Sequence, residues 1–258
     1  MPQADHRRTV LTTGAAAGIG WSTARLFAER GHRVAIADRD GEAALRRAAE
    51  LGEGHLGLAC DVTDEAAVAE AVAAVTERFC RLDALVNNVG IGDTAAPTLE
   101  QGAAHFRNVL DVHLTGTFLM SRTAAAAMIA QGGGAIVNLA SIAALTGLPR
   151  RNAYGAAKAG IVSMTRSMGA EWGAVGVRVN AVAPGYVRTE LVEKLIADGL
   201  LDPAGIVART PLGRMLEPTE IAEAIYFLAS PAASGITGSV LSVDAGWVAF
   251  GAAGSPSG

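Results

Sequence analysis

Short apolar runs alternate with longer stretches of helical periodicity along nearly the whole chain, and this alternation limits the fold more than any other feature. Runs at residues 9–13, 33–37, 55–60, 84–87, 135–139, 178–182 and 240–243 have the length of strands. Patterns at 20–30, 42–51, 65–79, 106–130, 154–172 and 218–229 have the length of helices. A helix between two such strands acts as a crossover, and crossovers build parallel sheet. The repeated units predict an α/β fold, a Rossmann-like doubly wound parallel sheet with helices on both faces. No compositional break or Pro/Ser-rich linker divides residues 1–258, so a single domain is expected, with flexible ends at 1–7 and 251–258.

Composition removes several functions. Half of the residues are hydrophobic and 18% are charged, ample material for a buried core. The net charge is −4, and the pairs Arg7-Arg8, Arg46-Arg47 and Arg150-Arg151 stand apart from one another as solvated surface. Nucleic-acid binding needs clustered Lys and Arg and is not expected. The two cysteines, Cys60 and Cys80, make no disulfide framework and fit a reducing cytoplasm. The histidines show no metal-ligand spacing, so no metal is expected. Residues 1–8 lack the apolar segment of a signal peptide, and no run reaches the roughly 18 residues of a membrane span.

Between the first strand and first helix lies Thr13-Gly14-Ala15-Ala16-Ala17-Gly18-Ile19-Gly20. Glycines there let backbone approach a pyrophosphate at the helix N-terminus, where free N–H groups favour an anion. The spacing is GxxxGxG rather than GxGxxG. Asp38 ends the second strand, 18 residues after Gly20. A carboxylate there accepts from ribose hydroxyls and repels a 2′-phosphate, which favours NAD over NADP; Arg39 pulls the other way. Asp61 either meets the adenine edge or caps the next turn. Asn87-Asn88-Val89-Gly90 ends the fourth strand, as a structural turn or a cofactor contact.

Tyr154 and Lys158 are four residues apart, which puts them on one face of a helix. An ammonium beside a phenol favours the phenolate and lowers the phenol's pKa, and such a tyrosine can move a proton to or from an alcohol oxygen.

Taken together, these residues resemble the short-chain dehydrogenase/reductase family, in its short single-domain subclass, over about residues 9–247. Gly14-x-x-x-Gly18-Ile19-Gly20 fits the family's cofactor turn, and Asn87-Asn88-Val89-Gly90 fits its Asn-Asn-Ala-Gly motif with Val89 for Ala. Ser141 lies thirteen residues before Tyr154, the family's interval for the catalytic serine. The run from Arg178 through Pro184-Gly185-Tyr186-Val187-Arg188-Thr189 fits the nicotinamide-side loop, and Ile236-Thr237-Gly238 with Val243-Asp244-Ala245-Gly246-Trp247 fits the last strand.

The resemblance implies that Ser141 holds the substrate oxygen, Tyr154 exchanges the proton, and Lys158 tunes Tyr154 and binds the nicotinamide ribose. It implies cofactor contacts at Gly14, Ala17, Gly18, Ile19 and Gly20, at Asp38, Arg39, Asp61 and Val62, at Asn88, Val89 and Gly90, and at Pro184, Gly185, Val187 and Thr189. One position departs: His113 stands where the family has a catalytic Asn. It is either a tolerated structural replacement or a group that titrates near neutral pH and alters the pH profile.

The expected activity is hydride transfer between NAD(H) and a small secondary alcohol or ketone. Reduction of 3-oxoacyl thioesters and a non-catalytic nucleotide-binding regulator are the alternatives. The segment 190–210 resembles the family's variable substrate lid, and it reads equally as an amphipathic helix packed on the core. Leu148 to Asn152 edge the pocket, where an arginine either meets a carboxylate or phosphate or, as expected here, lies in solvent. A homotetramer is implied, with the helices at 106–130 and 154–172 as interface candidates.

Overall fold

A computed structural model describes residues 7–94, 96–252 and 256. The predicted flexible ends therefore fall largely outside the described residues. In chain order the elements are β1 (Thr9–Thr13), α1 (Gly18–Glu29), β2 (Arg33–Asp38), α2 (Gly41–Glu50), β3 (Leu56–Ala59), α3 (Glu65–Phe79) and β4 (Ala84–Asn87). They continue with α4 (Ala103–Leu110), a π-helical turn (Asp111–Thr115), α5 (Gly116–Ala130), β5 (Gly134–Leu139), α6 (Asn152–Trp172) and β6 (Val177–Pro184). Next come α7 (Glu190–Ala197), α8 (Pro203–Arg209), α9 (Pro218–Ala229) and β7 (Val240–Val243).

The strands form one seven-stranded sheet in the order β3-β2-β1-β4-β5-β6-β7, and every pairing is parallel. The central strands are buried on both faces and rich in apolar residues, while the edge strands β3 and β7 are partly exposed. Successive side chains point to opposite faces. Leu11, Ala35, Leu85 and Ile136 pack in one cluster with Val68, Val75 and Met120 from α3 and α5. Their neighbours Val10, Ile36, Val86 and Val137 pack in another with Phe27, Ile221 and Ile225 from α1 and α9. The order of connections reverses between β1 and β4, and this switch leaves a crevice outside the strands' carboxyl ends.

The single helix expected at 106–130 is three pieces. The π-turn at Asp111–Thr115 carries one extra residue per turn and brings His113 inside, where it is 2% exposed. Gly116 begins α5 against Val62; a Cβ there would lie 2.6 Å from Val62 Cγ2. The segment 190–210 is two short helices, α7 and α8, rather than one. Among the described residues no helix is long and apolar enough to cross a membrane, and no group of three or more His, Cys, Asp or Glu could hold a metal.

Candidate active site

The turn after β1 is shaped by glycine. Gly14 and Gly18 have φ of 60° and 56°, in the left-handed region that side chains resist. A Cβ on Gly20 would lie 2.4 Å from Gly14 O and from Asn88 Nδ2. Ala17 begins α1 without a side-chain cap, so the first-turn N–H groups remain available to an anion. Ile19 is partly buried and packs against the core. These features fit a dinucleotide's pyrophosphate.

Asp38 is placed at the end of β2, with Oδ2 accepting from Ala16 N–H at 3.2 Å and Oδ1 from Asp40 N–H at 3.1 Å. Its carboxylate thus borders the glycine turn. Arg39 is exposed and acts on Asp61 by its charge. Asp61 lies beyond β3 and accepts from Thr63 N–H at 2.9 Å and Thr63 Oγ1 at 2.7 Å, bonds that hold its carboxyl below the usual range. These bonds fit the turn-capping alternative. Asn88 also works in the frame: Nδ2 donates to Thr13 O at 3.1 Å and Gly14 O at 2.8 Å. Val89 lies against Gly14, and Val62 is buried against Gly116. On the other flank, Gly185 N–H donates to Val243 O at 3.0 Å just after Pro184, and Val187 is buried. Thr189 caps α7 through Val192 N–H at 3.3 Å, and its methyl would be 3.5 Å from a Cβ on Gly18.

Ser141, Tyr154, Lys158 and His113 come together beyond β5. Ser141 Oγ accepts from Ala143 N–H at 3.1 Å, and its hydroxyl is hydrogen-bonded to the Tyr154 phenol. Lys158 is 4% exposed, and Nζ donates to Leu139 O at 2.5 Å while lying 5.6 Å from the Tyr154 ring centroid. Burial pushes the ammonium down to about 7. The Tyr154 phenol is raised, not lowered: burial dominates, against a hydrogen bond from Ser141 and the charge of Arg151. The burial of Tyr154 itself outweighs these favourable contacts, which is why the expected lowering does not appear.

His113 meets Tyr154 edge to face at 5.3 Å between centroids. Its Nε2 lies 3.1 Å from Ile91 N and 3.0 Å from Ile91 O, accepting or donating according to tautomer. Burial, then the charge of Lys158, drive its pKa down to about 3. Burial and the charge of Lys158 hold the ring in its neutral form, which favours the alternative of a structural replacement. Gly90 makes room for it: a Cβ there would lie 2.7 Å from His113 Cε1.

Three neighbours were not read from the sequence as site residues. Asp93 sends Oδ2 to Tyr154 N–H at 3.1 Å and Oδ1 to His105 Nε2 at 3.0 Å, and so caps α6 from outside. Trp247 and Tyr186 stack 5.0 Å apart. Asp93 carries no sequence signal, because its partner is 61 residues away. Arg151, expected as solvated surface, is partly buried and donates to Asp93 O at 3.1 Å.

Comparison with known proteins bears on this arrangement. Residues 14–248 match the family described as Enoyl-(Acyl carrier protein) reductase. The cis-4-hydroxycyclohexanecarboxylate dehydrogenase of Sinomonas cyclohexanicum is 45% identical over 251 residues, covering 96% of this chain and all of that protein. An uncharacterized short-chain type dehydrogenase/reductase, y4vI of Sinorhizobium fredii, is 44% identical over 95% of the chain, which spans only 44% of that longer protein. The crystal structure of 3-ketoacyl-(acyl-carrier-protein) reductase from Brucella melitensis complexed with NADH superposes with a TM-score of 0.86 at 35% identity, covering 93% of this chain and 98% of that one. With likeness running over most of the length in both sequence and backbone, the chain belongs to the short-chain dehydrogenase/reductase family.

Proposed function

We propose that the protein is an NAD-dependent dehydrogenase/reductase of secondary alcohols and ketones, working through Ser141, Tyr154 and Lys158. The observation that carries this reading is the convergence of those three side chains at the carboxyl end of β5, beside an uncapped helix N-terminus. A nicotinamide cofactor, when bound, supplies the hydride acceptor or donor. Gly14, Ala17, Gly18, Ile19 and Gly20 would receive its pyrophosphate, Asp38 its adenosine ribose, and Pro184, Gly185, Val187 and Thr189 its nicotinamide side.

Ser141 donates its hydroxyl proton to the substrate oxygen and fixes it near Tyr154. Tyr154 takes the alcohol proton as hydride leaves the carbinol carbon, and returns a proton to the carbonyl oxygen in reduction. Lys158 supplies positive charge under the phenol ring, and its pKa of about 7 lets it pass a proton on at working pH. His113 stays neutral and fixes the loop at Ile91. Asp38 sets the preference for NAD over NADP by excluding a 2′-phosphate.

A 3-oxoacyl-thioester reductase is the second reading, favoured by the ketoacyl reductase among the structural neighbours. The expected assembly is a homotetramer packed through α5 and α6, consistent with exposed Phe118 and Ile129 on α5. The free thiols Cys60 and Cys80 suit a reducing cytoplasm.

The test is a turnover panel with NAD and NADP on polyols, hydroxy acids, cyclic alcohols and acyl thioesters. Turnover of an alcohol class with NAD is expected, and Tyr154→Phe should lower kcat by at least about 10²-fold while NADH binding persists. Full activity in Tyr154→Phe would sink the mechanism.

A further inference from the structure

The outer wall of the site carries positive charge that the chain does not neutralise. Arg151 immediately precedes α6, three residues before Tyr154, and the one hydrogen bond of its side chain among the described residues goes to a main-chain oxygen, Asp93 O. Arg209 donates only to Trp247 O and Phe250 O, at 3.3 and 3.4 Å, with its guanidinium 4.0 Å over the Trp247 ring. The arginines paired with carboxylates lie elsewhere, at Arg30, Arg47, Arg81, Arg188 and Arg214 among others. Asp93, whose main-chain oxygen Arg151 reaches, has its carboxylate oxygens engaged by Tyr154 N–H, Thr94 N–H and His105.

Tyr186 joins the two arginines. The charges of Arg151 and Arg209 both act on its phenol, and Arg151 acts on Tyr154 as well. Tyr186 and Trp247 stack within an apolar cluster that includes Ile142, Ile206 and Met215. Trp247 is 8% exposed, and among the described residues its Nε1–H has no partner. A buried donor without an acceptor costs stability unless a ligand supplies one. An apolar cluster flanked by two guanidinium groups that lack a carboxylate partner, together with an idle indole N–H, suits a hydrophobic body that bears an acid group.

We propose that the substrate is an anionic secondary alcohol, a hydroxy acid whose carboxylate is held by Arg151, with Arg209 and the Trp247 indole N–H across Tyr186, while its hydroxyl faces Tyr154. This rests on the dehydrogenase reading for the role of Tyr154, but the acid subsite can be tested without turnover. Cyclohexanecarboxylate and cyclohexanecarboxamide have the same ring and differ in charge. Each is titrated calorimetrically into the full chain with saturating NADH and, separately, without it.

The acid should bind about 10- to 100-fold more tightly than the amide, the range of a charge-assisted hydrogen bond. Arg151→Met should bring that ratio near one, Arg151→Lys should keep part of it, and Arg209→Met should reduce it less. The ratio is taken within each variant, so a general loss of fold lowers both ligands together, and Arg151→Lys keeps the charge as a second check. Equal or absent binding of the acid and amide by the native chain overturns the proposal. So does a ratio untouched by Arg151→Met. Silence in the turnover panel with the acid preference intact counts against the dehydrogenase reading alone.

Discussion

His113 shows how burial sets the chemistry of a single side chain. Its folded pKa of about 3 lies below the ordinary value of 6.5. Between those values the unfolded chain binds a proton that the folded chain refuses. Stability is therefore unaffected by this group above pH 6.5 and falls as pH drops toward 3, by up to about 1.4 kcal/mol per pH unit. His113→Asn should flatten that loss, seen as a smaller decline in urea midpoint between pH 6.5 and 4. The pH dependence of kcat/KM above pH 6.5 should match the native curve; a displaced limb there would mean that His113 titrates in the working range. The same ring explains Gly90. Its would-be Cβ lies 2.7 Å from His113 Cε1, so Gly90→Ala should cost about 1–3 kcal/mol by overpacking. In a His113→Asn background the cost should shrink, and a double-mutant cycle would read the difference as coupling. Additive costs would place the strain elsewhere.

Elements explain which features were legible in the sequence. The central strands were, because burial on both faces makes them short, largely apolar runs bounded by turns, as Ala84–Asn87 shows. So was the glycine turn, whose residues are contiguous. The break between α4 and α5 was not, because a π-turn keeps the residue composition of a helix. What fixes it is a contact from His113 to Ile91, 22 residues away, and a close approach of Gly116 to Val62. The cap of α6 was hidden for the same reason. Arg151 gives that helix no side-chain cap, and Asp93 supplies one across space by accepting from Tyr154 N–H. Asp93→Ala should then lower stability by about 1–2 kcal/mol, as other lost caps do. If the cap also positions the tyrosine, kcat should fall while NADH affinity stays, and Asp93→Asn should restore part of both. Unchanged stability in Asp93→Ala would show that water replaces the carboxylate.

At the scale of the whole molecule, the proposed cofactor site is assembled from separate strand ends: the turns after β1, β2, β4 and β6 all open at the carboxyl edge of one sheet. A ligand spanning them binds only the folded arrangement, so its affinity adds directly to global stability. At a concentration 100 times its Kd, the gain is about 2.7 kcal/mol, which for a chain of this size is a rise in Tm of about 5–10 °C. NADH should produce that rise and NADPH a smaller one at equal concentration, because Asp38 stands beside the glycine turn with its carboxylate aimed at Ala16 N–H. Asp38→Ala should narrow the gap between the two cofactors from the NADPH side. Tyr154→Phe should leave the NADH rise nearly intact, since its hydroxyl is assigned to the proton rather than to cofactor affinity. Equal shifts with both cofactors in the native chain would move selectivity away from Asp38, toward Arg39 or the Arg47 guanidinium that reaches Ala16 O at 3.0 Å. The measurement thus separates the residue that chooses the cofactor from the residues that use it.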